Sequence, residues 1–164
     1  MDNEKIKWIE EYLEQALDIA WMEGSERALK LLDKLLYEEP GYGRLHHTLG
    51  IIYLRYAEES EMAEMHLRMA IKFNPQLGEA YALLAEVLQQ DDRHDETIHI
   101  CTKGLKARKA DKALLLENVG NAWELKRKYG KAIRSYREAL KSSAALWKCK
   151  VLEEHIKRCK RKQK

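Results

Sequence analysis

Two prolines and eight glycines in 164 residues argue against a chain built on turns and for an all-helical one with short connections. No stretch approaches the ~20 apolar residues needed to cross a bilayer. The opening Met1-Asp2-Asn3-Glu4-Lys5 is acidic, with no apolar run behind a basic flank. Neither a membrane span nor a secretory signal is therefore expected. Three cysteines, an odd number without close pairing, fit a reducing compartment and a cytoplasmic protein. Catalytic signatures are lacking as well: there is no Gly-rich phosphate loop, no G-x-S-x-G and no H-E-x-x-H. His155 and Cys159 share a helix face, but Cys149 falls about 120° away from His155 on an ideal helix. His94 and Cys101 also share a face, with Cys101 expected in the core. No metal, no cofactor and no enzymatic activity are expected.

What the chain does have is apolar residues, 45% of it, held to one period. Gly50 has small counterparts at Ala16, Ala85 and Gly120, each 34 or 35 residues from the next. Ala63 repeats in the same way through Ala28, Thr97 and Ala132, and Pro40 and Pro75 lie 35 apart. Bulky residues precede each small one by four positions (Tyr12, His46, Tyr81, Leu116) and follow it by three (Ile19, Tyr53, Leu88, Trp123). A small residue in mid-helix lets a neighbouring helix approach, and large ones a turn away on the same face fill the flanking volume. A second set, such as Ala63, Leu67 and Ala70, lies on one face of a following helix that a proline ends. Each unit then reads as a helical hairpin that must stack on its neighbours to bury its apolar face.

These residues resemble the tetratricopeptide repeat. The match is best at Leu49-Gly50-x2-Tyr53 with Ala63, Leu67 and Pro75, and next best at Val119-Gly120-x2-Trp123 with Ala132 and Tyr136. The first repeat places Gln15 where Leu is usual, and the third substitutes Thr97, Cys101 and Gly104 for the usual Ala, aromatic and Ala. The resemblance implies a single domain, an all-α right-handed solenoid of about four hairpins (about 9–42, 43–77, 78–111 and 113–146) with a capping helix at about 144–160. It also implies a protein-interaction scaffold whose first helices line a concave groove. Chaperone-binding members hold a terminal carboxylate with Lys, Asn and Arg on these helices. The corresponding places here are Leu13, Leu17, Thr48, Glu79 and Leu83, or one repeat later His47, Ile51, Leu83, Leu114 and Asn118. None agrees, so no carboxylate clamp is expected.

The groove inferred from the resemblance is apolar and partly basic at its N-terminal end. Leu13, Leu17 and Trp21, continuing the stripe from Ile6, lie on the first helix, and Arg44, His47, Ile51 and Arg55 on the third. The stripe is either covered by the next repeat or open as a surface for a partner or a second copy. His46 is expected in the core and His47 toward the groove. Ser25 is expected to cap the second helix, and Gly41 and Gly43 to form the next turn. Farther on the wall turns polar, with Glu79, Glu86, Gln90, Leu114, Glu117 and Asn121, joined by Ala82, Gln89 and Glu124. Such a wall suits a peptide with an apolar anchor followed by polar or basic residues.

A net charge of +3 hides a polarity along the chain. Residues 1–40 hold five Lys/Arg against eleven Asp/Glu, while 112–164 hold sixteen against five. The final helix is expected to cover the last repeat with Ala145, Leu146, Val151, Leu152 and Ile156. It ends in Lys157, Arg158, Lys160, Arg161 and Lys162, within a basic tail at 157–164. Such a cluster is a solubilising cap matched to the helix dipole or a surface for nucleic acid or another anionic partner. No aromatic residue interleaves with that run to stack on bases. The partner readings are thus a protein or peptide ligand, an anionic partner at the basic end, or a second copy.

Overall fold

The period becomes pairs of antiparallel-length helices joined by tight turns. The computed structural model describes residues 3–163, which leaves Met1, Asp2 and the Lys164 end of the basic tail outside the described residues. Among the described residues there are nine helices and no strand. They are α1 (Asn3–Glu23), α2 (Ser25–Glu38), α3 (Gly43–Arg55), α4 (Ser60–Phe73), α5 (Gly78–Gln90), α6 (His94–Gly104), α7 (Lys112–Leu125), α8 (Tyr129–Ser142) and α9 (Leu146–Gln163). No helix among them is long and apolar enough to cross a membrane. The chain divides into two compact units, Met1–Pro75 with α1 to α4 and Gln76–Lys164 with α5 to α9.

In the first unit α1 packs on α2, α3 packs on α4, and α3 also meets α1 and α2. Ile9, Leu13, Ala16 and Ala20, spaced 4, 3 and 4, form the buried face of α1. They join Ala28, Leu32 and Leu35 of α2 and Leu45, Leu49 and Ile52 of α3 in one core. In the second unit α5 to α9 each pack on the next, and α5 reaches α7. Ala132, Ile133, Tyr136 and Ala139 of α8 close on Leu152, Ile156 and Cys159 of α9.

The small residues that set the period have a steric reason. A Cβ on Gly50 would sit 2.7 Å from Leu67 Cγ, and one on Gly120 would sit 2.5 Å from a ring carbon of Tyr136. Neither carbon has room in so close an approach. A further element of the period was not legible: the residues of positive φ. Gly24 (φ 100°), Glu58 (57°), Asp92 (57°) and Arg127 (55°) fall 34, 34 and 35 residues apart, at the turn inside each hairpin. The left-handed conformation there lets the following amide bond back five residues, as Arg93 N does to Leu88 O and Lys128 N to Trp123 O, both 2.9 Å. Three of the four positions carry a residue with a Cβ, so the usual glycine signal of a helix end is missing.

Several local expectations are corrected. Ser25 is the first residue of α2 rather than its cap; Gly24 holds the cap position and no side chain caps the helix. Gly43 opens α3 instead of lying in the turn, and a Cβ there would meet that of Asn74 at 2.7 Å. The last helix starts at Leu146 and ends at Gln163. It covers α8 with Leu152, Ile156 and Cys159, while Leu146 and Val151 stay exposed.

Candidate functional site

On the first helices of unit 1, the apolar stripe is not one surface. Leu13 is 3% exposed and belongs to the core, and Leu17 is half-buried against it. Only the ends of the stripe remain open, Ile6 at one and Trp21, 77% exposed, at the other. Trp21 is joined by exposed Met22, while Trp8 stacks on Tyr12 at 5.2 Å. On α3, Arg44 is exposed and ion-paired with Glu10 at 2.5 Å. Glu10 also accepts from the Tyr42 hydroxyl, whose pKa rises to about 12 through burial first and that carboxylate second. Ile51 is half-buried and Arg55 exposed. His47 was expected to face a ligand, but it is 7% exposed, so its ring is part of the packing.

His46 is in the core, as expected, and does more than fill it. Its Nε2–H donates to Pro40 O at 2.9 Å, because a carbonyl can only accept. Its Nδ1 is then the acceptor, and His66 Nδ1–H must be the donor across the 2.9 Å contact between them. Tyr53 stacks on His66 at 5.4 Å, and His66 is 5% exposed. Burial first, and the second histidine next, lower the His66 pKa to about 4. The unfolded chain therefore binds a proton that the folded one refuses between pH 6.5 and 4, and stability falls as pH drops through that window. At pH 5 the loss relative to pH 7 is about 2 kcal/mol from this group. His66→Gln keeps a donor for His46 but cannot titrate. Urea denaturation at pH 7 and pH 5 should show a pH difference smaller by about that amount in the variant; an unchanged difference would remove His66 as the cause.

In unit 2 the expected groove wall divides. Glu79 and Gln90 are exposed, and Glu86 and Leu114 half-buried. Glu117 and Asn121 are occupied within the unit rather than offered to a ligand. Glu117 lies 3.7 Å from Lys148 Nζ and 4.0 Å from His155 Nδ1 of α9. Asn121 Oδ1 accepts from the Tyr136 hydroxyl at 2.7 Å. Spacings of 4 and 3 put Glu117, Asn121 and Glu124 on one face of α7, and side chains of α8 and α9 cover it. Lys148 also reaches Asp111, at 3.6 Å, whose other oxygen caps α7 by accepting from Leu114 N at 2.8 Å.

Glu124 is the most engaged residue of this face, 8% exposed. Arg158 grips both its oxygens at 2.7 Å, Lys162 donates at 3.0 Å, and the Tyr136 hydroxyl, which shares its one proton between Asn121 and this carboxylate, lies at 3.1 Å. The guanidinium of Arg158 is the main reason its carboxyl stays charged far below the ordinary carboxylate range, against the opposing effect of burial. Burial first, and the same carboxylate next, keep the Tyr136 hydroxyl protonated. Two of the five cations expected as a basic patch, Arg158 and Lys162, are thus committed to Glu124, and Lys157 pairs with Glu154 at 2.7 Å. Lys160 and Arg161 are exposed. The signal for this network was the period itself: Arg158 lies 34 residues after Glu124, so α9 stands where a next first helix would. Beside it opens a cavity of about 530 Å³ lined by Gln89, Asn121, Glu124, Arg127, Arg158 and Lys162.

Among the described residues no three His, Cys, Asp or Glu side chains gather to hold a metal. Cys101 and Cys159 are buried, and burial pushes their thiols up to about 12 and about 11. Little thiolate exists at neutral pH in either, so neither is placed as a nucleophile.

The sequence matches no protein-family model, and no curated protein is similar to it at the level of sequence. Solved structures are similar in fold. The structure from a functional characterization of Pseudomonas aeruginosa pilF superposes with a TM-score of 0.79 at 15% identity, over 94% of this chain and 68% of that one. The MamA protein gives 0.71 at 22% identity, over 82% and 72%. The Arabidopsis OM64 TPR domain gives 0.61 at 20% identity, over 71% and 94%. These likenesses show that the chain has the all-α helical-repeat fold of tetratricopeptide-repeat proteins.

Proposed function

We propose that the chain is a non-enzymatic protein-interaction module that holds a peptide or protein segment on the first-helix face of α1 and α3. The observation that carries this reading is Trp21. It is a large aromatic residue, 77% exposed beside exposed Met22, at the end of a stripe whose Leu13 lies in the core and whose Leu17 packs against it. Exposed aromatic residues of this kind are the usual anchors of an interface. Half-buried Ile51, with Arg44 and Arg55 at the water, continues the face along α3. Within unit 2, Glu79 and Gln90 of α5 and Leu114 of α7 also lie on first helices. The reading in which the basic α9 is the main site is the weaker one, because Glu124 already holds two of its cations.

Trp21→Ala is the clean test, since its side chain contributes little to the core, whereas Leu17→Glu would also place a charge against it. Purified wild type and Trp21→Ala would be used to capture partners after nuclease treatment, with thermal melts run in parallel. Equal melting with partner affinity reduced about tenfold or more supports the site. Undiminished capture by the variant would place the interaction elsewhere.

A further inference from the structure

We propose that unit 2 carries a pocket for a phosphorylated side chain of a protein partner, walled by Arg127, Lys128, Lys131, Arg134 and Lys162. This deepens the reading of the chain as a protein-interaction module and rests on it. The pocket is a cavity of about 480 Å³ at the α7–α8 turn, and its remaining lining is Tyr129, Gly130 and Gln163. No acidic side chain lines it, and of its cations Lys162 is also held by Glu124 at 3.0 Å.

Several surface cations elsewhere are matched. Lys30 pairs with Glu26, Arg68 with Glu64 and Lys141 with Glu138, each a turn away on its own helix. Beside the pocket Lys126 pairs with Asp95 at 2.5 Å. Within it, Lys131 precedes Arg134 by three residues on α8, a spacing at which like charges repel. Glu138, the acid one turn beyond Arg134, is bound to Lys141 at 2.8 Å. Arg127, Lys128 and Arg134 have no carboxylate partner among the described residues. Gathering these charges in a concavity is unfavourable unless an anion sits among them.

Gly130 is the second, independent sign. A Cβ on Gly43, Gly50, Gly78, Gly104 or Gly120 would come within 2.5 to 2.7 Å of a neighbouring carbon, so packing accounts for those glycines. At Gly130 the nearest atom is a flexible side-chain nitrogen of Gln163 at 3.6 Å, and φ is not positive. Neither sterics nor backbone conformation calls for glycine there, and in a helix it costs stability relative to alanine. What its missing side chain does is leave the floor of the cavity open.

The chemistry favours a phosphoryl dianion. Its charge and three acceptor oxygens can engage several Arg and Lys donors at once, which a single carboxylate cannot. Nucleic acid fits less well. It would need an open stacking face, and the ring of Trp123 is covered by Lys131 Nζ at 4.2 Å from its centroid, which leaves half-buried Tyr129 as the aromatic residue of the lining.

The test is an amide NMR titration of the full chain at about 0.15 M salt. The probes are a Gly/Ser peptide with two adjacent phosphoserines, the same peptide unphosphorylated, and an oligouridylate. Saturable shifts centred on Gly130 and Lys131 with the phosphopeptide alone are expected. They should weaken at least about tenfold in Lys131→Gln/Arg134→Gln, and also in Gly130→Leu, which fills the floor, with melting temperatures unchanged. The proposal is overturned by absent or unsaturable shifts, by equal binding of the unphosphorylated peptide, or by tighter binding of the oligouridylate. Because the readout is local to unit 2 and uses defined probes, its failure is distinct from undiminished capture by Trp21→Ala.

Discussion

Gly120→Ala is expected to lower the stability of unit 2 by about 1–3 kcal/mol, although alanine is the better helix former by about 1 kcal/mol. The added carbon would lie 2.5, 2.6 and 3.0 Å from three atoms of the Tyr136 ring. That ring cannot swing aside. It is fully buried, and its hydroxyl is fixed on Asn121 at 2.7 Å and Glu124 at 3.1 Å. The helices must separate instead, which opens the seam between α7 and α8. Ala85 tolerates its methyl at the equivalent place because the residue at Tyr136's position in that hairpin is Cys101, a much smaller side chain. Gly120→Ala combined with Tyr136→Leu should accordingly lose less than the two single changes added together. Urea unfolding of the four proteins measures the cycle, and strict additivity would show that the steric account is wrong.

The same residues explain what could be seen in the sequence and what could not. The period was legible because packing imposes it: Gly50 against Leu67 and Gly120 against Tyr136 are contacts between two helices of one hairpin, repeated at one spacing. His46 and Cys101 were legible as core for the same reason, since position in the repeat fixed their facing. Leu13 and His47 were misplaced by that reasoning. A position assigned to an open groove becomes buried when a neighbouring helix lies close, and closeness depends on side-chain volumes that a repeat pattern does not encode. The polar face of α7 was misread in a related way. Glu117, Asn121 and Glu124 look like a solvated wall until α9 is placed beside them, and the basic residues of α9 look like a free patch until Glu124 is. The pairing of Glu124 with Arg158 spans one period, but charge reads as surface by default. Least visible was the turn chemistry, because Glu58, Asp92 and Arg127 adopt a backbone conformation that their side chains do not advertise.

Glu124→Ala should be the more damaging change, by about 2–3 kcal/mol, a little below the usual cost of breaking a buried ion pair. The discount has a structural reason: the side chains of Arg158 and Lys162 are 41% and 49% exposed, so once abandoned they can turn to water. What cannot turn away is the seam beneath them. Glu124 is the point where α7 holds α9, and α9 covers Ile133, Tyr136 and Ala139 with Leu152, Ile156 and Cys159. Loss of the carboxylate should therefore raise hydrogen exchange along α9 before it affects α5 and α6. Arg158→Ala should cost less, since Lys162 remains as a partner, and Lys162→Ala least, since the two-pronged Arg158 contact survives it. The linkage to pH follows from direction alone. The carboxyl is held below its unfolded value, so its contribution is complete above the ordinary carboxylate pKa of 4.5 and is lost as pH falls below that value. Wild type and Glu124→Ala should converge in stability on acidification, while the His66 effect in unit 1 sets in at higher pH. If Glu124→Ala and Lys162→Ala proved equally mild at pH 7, the carboxylate would be a passive surface group, and α9 would be held by its apolar face alone.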